Sequence, residues 1–171
     1  MTWGYNVGSV AGKNQASQLI VAIDGPAGVG KSTVAKLLAS RLGYLYLDTG
    51  ALYRAMAWAV IESGLDPADA EAITALLPTL SLTMQFNQGA ATVLVNGKDV
   101  SGDLRTPAVT SAASVVSAMP AVRAWLLPIQ RQIGQGGGVV AEGRDMGTKV
   151  FPSADLKFFL EAYQPIRAQR R

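Results

Sequence analysis

The stretch Leu19-Ile-Val-Ala-Ile-Asp24 runs directly into Gly25-Pro-Ala-Gly-Val-Gly-Lys-Ser-Thr33. The first part is a short aliphatic run of the kind found in a buried parallel strand. The second fits G-x-x-x-x-G-K-[ST], with Gly25, Gly30, Lys31 and Ser32 at the fixed positions. Behind it Val34, Leu37, Leu38 and Leu42 recur at helical spacing, so the motif lies between a strand and a helix. That context separates a phosphate-binding loop from a chance match. Glycines let the backbone curl until successive N–H groups point inward, where the positive end of the helix dipole also lies. Gly25, Pro26, Ala27, Gly28, Val29, Gly30, Lys31, Ser32 and Thr33 are therefore expected to hold a nucleoside triphosphate. Lys31 supplies a point charge to the β/γ-phosphates, and the Ser32 hydroxyl is the expected ligand of a Mg²⁺ ion.

Outward from this loop, residues 1 to about 18 are small and polar without periodicity and read as a mobile leader. Tyr44-Leu-Tyr-Leu47 reads as a second strand, and Thr49 as the N-cap of a helix from Ala51 to Ser63 that Gly64 ends. Asp66-Pro-Ala-Asp69 opens a helix to about Leu77. The period then changes. Leu80, Leu82, Met84 and Phe86 alternate, Asn87-Gln-Gly89 turns, and Ala91, Val93 and Val95 alternate back. Asn96-Gly97 makes a second turn before Lys98-Asp-Val100. Thr106-Pro107 opens a helix to about Ala118. Met119-Pro120 opens another, with Val122, Leu126, Ile129 and Ile133 on one face and Pro128 inside it, where it should kink or shorten the helix. Gly134-Gln-Gly-Gly-Gly138 leads to a third strand, Val139-Val-Ala-Glu142, and Leu156-Lys-Phe-Phe-Leu160 is a fourth. Strands alternating with helices predict an α/β three-layer sandwich around a central parallel sheet, with a small antiparallel insertion at about 78–105. Ligands of such sheets sit beyond the carboxyl ends of the strands, here Gly25–Thr33, Asp48–Arg54 and Gly143–Asp145.

Composition narrows the chemistry. The 171 residues are 49% hydrophobic and 16% charged, and they include no cysteine and no histidine. Disulfides, Cys/His zinc sites and every Ser-His-Asp or Cys-His mechanism are excluded. No apolar run approaches the roughly twenty residues of a membrane span. The first ten residues lack the basic and apolar regions of a signal peptide, so a cytoplasmic location is expected. Fifteen Lys/Arg against twelve Asp/Glu leave a net charge of +3, and the last three arginines, Arg167, Arg170 and Arg171, account for it. The rest of the chain is balanced and carries no polynucleotide footprint.

A single phosphate loop implies a triphosphate without defining the reaction. No Asn-Lys-x-Asp segment of a guanine-specific GTPase is present, and a small P-loop kinase is the leading class. Its acceptor should then lie at the other strand ends. On a helix starting near Gly50, Tyr53 and Arg54 can reach back over the second strand, and arginine suits planar bidentate contact with a monophosphate. Equally, Tyr53 can be core and Arg54 a surface ion pair. Arg144 and Asp145 follow the third strand and can either serve a ligand or pair with each other. Ser114 and Arg123 flank the Met119-Pro120 turn and can converge on one pocket or be solvated surface.

Four segments together resemble the bacterial cytidylate kinases, the (d)CMP kinases: Gly25–Thr33, Asp48–Arg54, Asp99-Val-Ser-Gly-Asp-Leu-Arg105, and Glu142-Gly-Arg-Asp-Met-Gly-Thr148 with Val150-Phe-Pro152. The likeness runs from about Leu19 to the last residue. It implies transfer of the γ-phosphate of ATP to CMP or dCMP with Mg²⁺ as cofactor, within one domain over 19–171 whose insertion binds the monophosphate. Lys31, Arg54 and Arg144 would be the catalytic cations. Thr49, Tyr53, Arg54, Ser114, Arg123, Arg144 and Asp145 would bind CMP. Ser114 and Asp145 would accept from the cytosine 4-amino group, Arg123 would donate to N3 and O2, and Arg54 and Arg144 would grip the monophosphate. The expected partners are ATP and CMP or dCMP, with no polynucleotide and no membrane, and a monomer is expected.

Members of that family continue past the point where this chain stops. The resemblance therefore implies a domain short of the rest of its lid, a last strand and a last helix. Arg167, Arg170 and Arg171, at i, i+3 and i+4, are the lid candidates. Weak or absent turnover and an unpaired sheet edge are expected. The competing readings are a nucleotide-binding remnant without catalysis and a P-loop kinase acting on another small molecule, such as shikimate or gluconate.

Overall fold

The structure, a computed structural model, describes residues 18–87 and 90–163. Four strands form a parallel sheet: β1 (Ile20–Asp24), β2 (Leu45–Asp48), β6 (Val139–Gly143) and β7 (Leu156–Phe159), in the order β2-β6-β1-β7. All four are strands expected from sequence, and the P-loop strand lies inside the sheet. A second, antiparallel sheet contains β3 (Leu82–Asn87), β4 (Ala90–Val95) and β5 (Lys98–Asp99). Asn96 (φ 50°) and Gly97 (φ 80°) make the β4–β5 turn, where two consecutive left-handed residues match the twist of the flanking strands. Residues 88–89 of the first hairpin turn lie outside the described residues, as does the leader through residue 17.

Between the two sheets runs α2 (Thr49–Glu62). Nine of its fourteen residues are buried, including Leu52, Ala55, Met56 and Val60. A helix apolar on all sides has to be covered on all sides. Here β6 covers one side, and β3, β4 and α4 (Pro107–Val116) cover others. One continuous core therefore runs from Ala22, Leu47 and Ala141 of the parallel sheet through α2 to Met84, Val93 and Val95 of the antiparallel sheet. On the opposite face of the parallel sheet lies α1 (Lys31–Leu42), in a smaller cluster of Val21, Ile23, Ala35, Ala39 and Val140.

Several local expectations are corrected. In α1 the face on the sheet is Ala35 and Ala39, whose small side chains let the helix approach closely, while Val34, Leu37 and Leu42 are exposed. The N-cap of α2 is Asp48, whose carboxylate accepts from Ala51 N–H at 3.1 Å. Thr49 instead donates its hydroxyl to the Glu142 carbonyl at 2.7 Å. Helix α3 (Ala70–Leu76) starts after Asp69 and not at Asp66. Thr106 is the N-cap residue of α4 ahead of Pro107, as expected, but its hydroxyl donates to the Asp103 carbonyl and makes no cap bond. In α5 (Pro120–Gly134) the buried stripe is Val122, Leu126, Gln130 and Gly134, a strict four-residue ridge, with Ile129 and Ile133 only half-buried. Pro128 does not end this helix. It is exposed, as is Ala124 one turn earlier, so the carbonyl that loses its helix partner faces solvent.

Beyond β6 a π-helical turn, Met146–Val150, packs against β1 and α5. At the sheet margin β7 pairs with β1, and Leu156, Phe158 and Phe159 are exposed.

Because α2 belongs to the cores of both sheets, they should unfold together. Leu52→Ala is expected to cost about 2–5 kcal/mol in a single urea transition. A biphasic transition in the variant would show that the two sheets do not share one cooperative core.

Candidate active site

The strand register brings Asp48 and Glu142 level, with Asp24 one residue further along. Asp24 lies opposite Gly143, and Asp48 lies opposite Glu142. Asp24 and Glu142 are 8% and 4% exposed, and a buried carboxylate has to be satisfied. Asp24 takes Met146 N–H at 2.7 Å and Gly147 N–H at 2.8 Å, one on each oxygen. Asp48 caps α2 and pairs with Arg54 at 2.8 Å. Glu142 accepts the Tyr46 hydroxyl. Burial, the nearby Asp48 and that bond together push the Tyr46 phenol well above its ordinary range, so it stays a neutral donor.

The phosphate loop opens from the end of β1. Gly25 (φ 148°), Gly28 (φ 80°) and Gly30 (φ 97°) hold backbone conformations that L side chains rarely adopt. The loop meets α1 at Gly30, which is the N-cap. Lys31 Nζ donates to the Pro26 carbonyl at 2.9 Å across the loop. Desolvation lowers the Lys31 pKa. Arg144 acts in the same direction, while Glu142, Asp24 and Asp48 oppose it. Lys31 and Arg144 thus share one electrostatic neighbourhood. An open cleft of about 930 Å³ is lined by Gly25, Pro26, Arg144, Phe159 and Tyr163 among others.

The second cluster lies at the start of α2. Arg54 is half-buried against Asp48, and its buried Nε has no partner. At Gly50 a Cβ would stand 3.1 Å from Arg54 Nη1 and 3.0 Å from Asp48 Oδ1, so this turn has little room for a side chain. Tyr53 is half-buried with its ring 5.9 Å from the Arg123 guanidinium, within cation–π range. Burial raises the Tyr53 pKa, and Arg123 partly offsets this. Arg123 pairs with Asp145 and also donates to the Ser117 carbonyl at 3.3 Å.

Tyr53, Arg123 and Asp145 therefore come together from α2, α5 and the end of β6. Asp145 pairs with Arg123 and not with its neighbour Arg144, which makes no ion pair among the described residues. Side chains of successive residues diverge as a chain leaves a strand. Ser114 is exposed and bonds the Thr110 carbonyl of its own helix at 3.3 Å, one turn before the Ser117 that receives Arg123. Thr49 is buried against Glu142. Arg167, Arg170 and Arg171 lie outside the described residues.

Asp24, Tyr46, Glu142 and Gln130 were not among the residues expected from sequence. A carboxylate closing an apolar strand was a readable signal for Asp24 and Glu142. Tyr46 carried none. Gln130 falls on the ridge begun by Val122 and Leu126, four residues beyond Leu126.

Comparison with known proteins supplies the family. The family model described as cytidylate kinase matches residues 21–171. The chain belongs to the cytidylate kinase family. It is 51% identical over 162 residues to a protein of Synechococcus elongatus named as a bifunctional pantoate ligase/cytidylate kinase, a match covering 92% of this chain and 31% of that protein. Proteins of the same name from Synechococcus sp. WH7803 (54% identity, 89% of this chain, 31% of that protein) and a Synechocystis strain (51%, 89% and 30%) are similar to it. The chain thus spans about a third of the length of these relatives. No single helix among the described residues is long and apolar enough to cross a membrane.

The lowered Lys31 pKa has a stability consequence with a definite sign. Between the folded value and the ordinary 10.5, the unfolded chain binds more protons than the folded one. The penalty for burying the ammonium is complete below the folded pKa and is relieved as pH rises through it. Urea titrations should therefore show the parent gaining stability relative to Lys31→Met as pH climbs toward 10.5. A parent that loses ground over that window would mean the carboxylates outweigh desolvation.

Proposed function

We propose that this chain transfers the γ-phosphate of ATP to CMP or dCMP, giving ADP and CDP or dCDP. The observation that carries the reading is the Arg123–Asp145 pair resting on Tyr53, beside the strand ends that bear the phosphate loop. Cytosine presents a donor, its 4-amino group, where uracil presents an acceptor. A carboxylate on that edge accepts from the first and repels the second, and the adjacent guanidinium donates to N3 and O2. Ser114, on the helix that delivers a carbonyl to Arg123, is assigned as a further acceptor for the amino group.

Gly25–Thr33 are assigned to ATP. Arg54 and Arg144 are assigned to the acceptor monophosphate, with Thr49 and Tyr53 beside it. The buried, unpartnered Nε of Arg54 supports that role, since a donor left dry without a partner is costly. Segment 78–105, which contains the antiparallel sheet, is assigned as the monophosphate-binding insertion of a domain over 19–171, with residues 1–18 as a leader. Arg167, Arg170 and Arg171 are assigned to the lid. A 5′-phosphate oxygen of CMP attacks the γ-phosphorus, the bond to the β–γ bridging oxygen breaks, and ADP leaves. The protein contributes in-line placement and cations on the developing charge, from Lys31, Arg54 and Arg144, and needs no general base.

Mg²⁺ typically retains several waters and is held by one or two protein oxygens plus substrate phosphates. The Ser32 hydroxyl, in the first turn of α1 directly after the loop, fits that requirement. Bound there, the ion would neutralise charge on the β- and γ-phosphates. A cytoplasmic, monomeric protein fits this chemistry.

The direct test is ADP release from Mg·ATP with CMP, dCMP, UMP and AMP offered in turn. Turnover with CMP and dCMP above the others is expected. Silence with all four, despite CMP binding, would make the chain a nucleotide binder without catalysis. A preference for a non-nucleotide acceptor would move it to another kinase class. Asp145→Asn should reduce the preference for CMP over UMP by about tenfold to a hundredfold, since one base-edge contact is worth about 1–3 kcal/mol. Unchanged discrimination would remove Asp145 from base reading.

A further inference from the structure

We propose that Asp24 and Arg131 are positioning residues for base reading. They hold the turn Met146–Val150 from its two ends and so leave the Asp145 carboxylate turned to Arg123. The inference rests on the reading that Arg123 and Asp145 recognise the cytosine edge.

The starting point is a buried carboxylate that the transfer chemistry does not use. Asp24 is 8% exposed and makes no ion pair among the described residues. Its two oxygens take the N–H groups of Met146 and Gly147, one each, at 2.7 and 2.8 Å. Donors in the first turn of a helical element have no partner within it. The residue that ordinarily serves them is the one at the N-cap position. Here that residue is Asp145, an aspartate suited to the task, yet its side chain makes no cap bond. Its carboxylate pairs with Arg123 instead. Asp24 therefore caps the turn from the neighbouring strand, and Asp145 is released to face the base pocket.

The far end of the turn is held in a matching way. Arg131 donates through Nε to the Val150 carbonyl at 3.1 Å and through Nη2 to the Lys149 carbonyl at 2.8 Å. An anion thus serves the opening N–H groups and a cation the closing carbonyls. Between them the Asp145 carbonyl accepts from the N–H groups of Lys149 and Val150. Asp145 is tied to the turn by its backbone while its side chain stays outside it. Arg131 also lies on α5, the helix that carries Arg123. One helix therefore presents Arg123 to Asp145 and steadies the turn on which Asp145 is mounted. With asparagine in place of Asp24, one oxygen becomes an amide donor pointed at a backbone donor. The Asp145 carboxylate is then the local acceptor for the N–H left without a partner, and serving it means leaving Arg123. Pre-organisation of this kind is seen in affinity.

The test is calorimetric binding of CMP and of UMP to the 171-residue chain, to Asp24→Asn, to Arg131→Gln, and to each combined with Asp145→Asn. The readout is the ratio of the two affinities, which a smaller folded fraction does not change. Each single variant should lower the preference for CMP by about threefold to tenfold. That is no more than the loss expected of Asp145→Asn, because a misdirected acceptor weakens a hydrogen bond without abolishing it. With Asp145→Asn already in place, neither substitution should lower the ratio further. A residue that only held the fold together would weaken CMP and UMP alike. An unchanged ratio in either folded variant therefore overturns the inference while leaving the proposed function intact. So does a further fall in the Asp145→Asn background. Weaker ATP binding by Asp24→Asn with the ratio intact would make Asp24 a support of the phosphate loop, and overturns it too. Arg131 is exposed, so Arg131→Gln decides the matter should Asp24→Asn fail to fold. A parent that binds no CMP, or binds UMP equally well, overturns the base-reading assignment itself, and this inference with it.

Discussion

The arrangement depends on one constraint: carboxylates at the ends of neighbouring parallel strands must be satisfied away from water. The register of β1, β2 and β6 puts Asp48 level with Glu142 and Asp24 one residue further along, opposite Gly143. Taking such a group out of water costs several kcal/mol unless partners replace the solvent. Each solution found here fixes a different part of the site. The two N–H groups on Asp24 tie the turn after β6 to the strand before the phosphate loop. The cap and ion pair on Asp48 set the start of α2 and the direction of Arg54. The phenol of Tyr46 on Glu142 holds that carboxylate between β2 and β6. Placement of the groups proposed to bind phosphate thus follows from electrostatic necessity inside the sheet, before any ligand is considered.

The same constraint explains why α2 lies where it does. Its first turn is held at the strand ends by Asp48 and by the Thr49 bond to the Glu142 carbonyl. Its remaining turns are largely apolar up to Val60 and are wrapped by β3, β4 and α4. The antiparallel sheet is therefore joined to the parallel one through a shared hydrophobic layer and not through a flexible linker alone. Tyr53 and Arg54, near the start of that helix, inherit its rigidity.

Features with a contiguous signal were legible in the sequence. The phosphate loop, the Asn96-Gly97 turn and the four parallel strands each depend on neighbouring residues, and each was found. Faces of helices were harder to read. Apolar letters at Leu37 or Ile133 suggested burial, yet α1 approaches its sheet over Ala35 and Ala39, and α5 buries the ridge through Gln130. Partners were harder still. Arg144 stands next to Asp145 in sequence, but the pairing cation is Arg123, 22 residues away. That contact depends on α5 folding back against the end of β6, and no local pattern encodes it. The cap of α2 was missed by one residue, because Asp48 and Thr49 are both good caps and only the Glu142 carbonyl decides which is free.

On the proposed function, recognition and transfer would make opposite demands on the charged groups. Lys31, Arg54 and Arg144 would have to remain available to phosphate, and the structure keeps them only partly committed: Lys31 to a carbonyl, Arg54 to one carboxylate with its Nε free, Arg144 to no ion pair among the described residues. Arg123 and Asp145, by contrast, are already paired with each other and supported on an aromatic ring. A fixed pair presents a donor and an acceptor side by side in a set order. A ligand edge with the complementary order can join it without separating the charges, whereas one with the reversed order forces like against like. A matching base can then gain affinity without breaking the pair, and a mismatched base faces an electrostatic penalty. On this view base selectivity depends less on the number of contacts than on how firmly the pair is held before the base arrives.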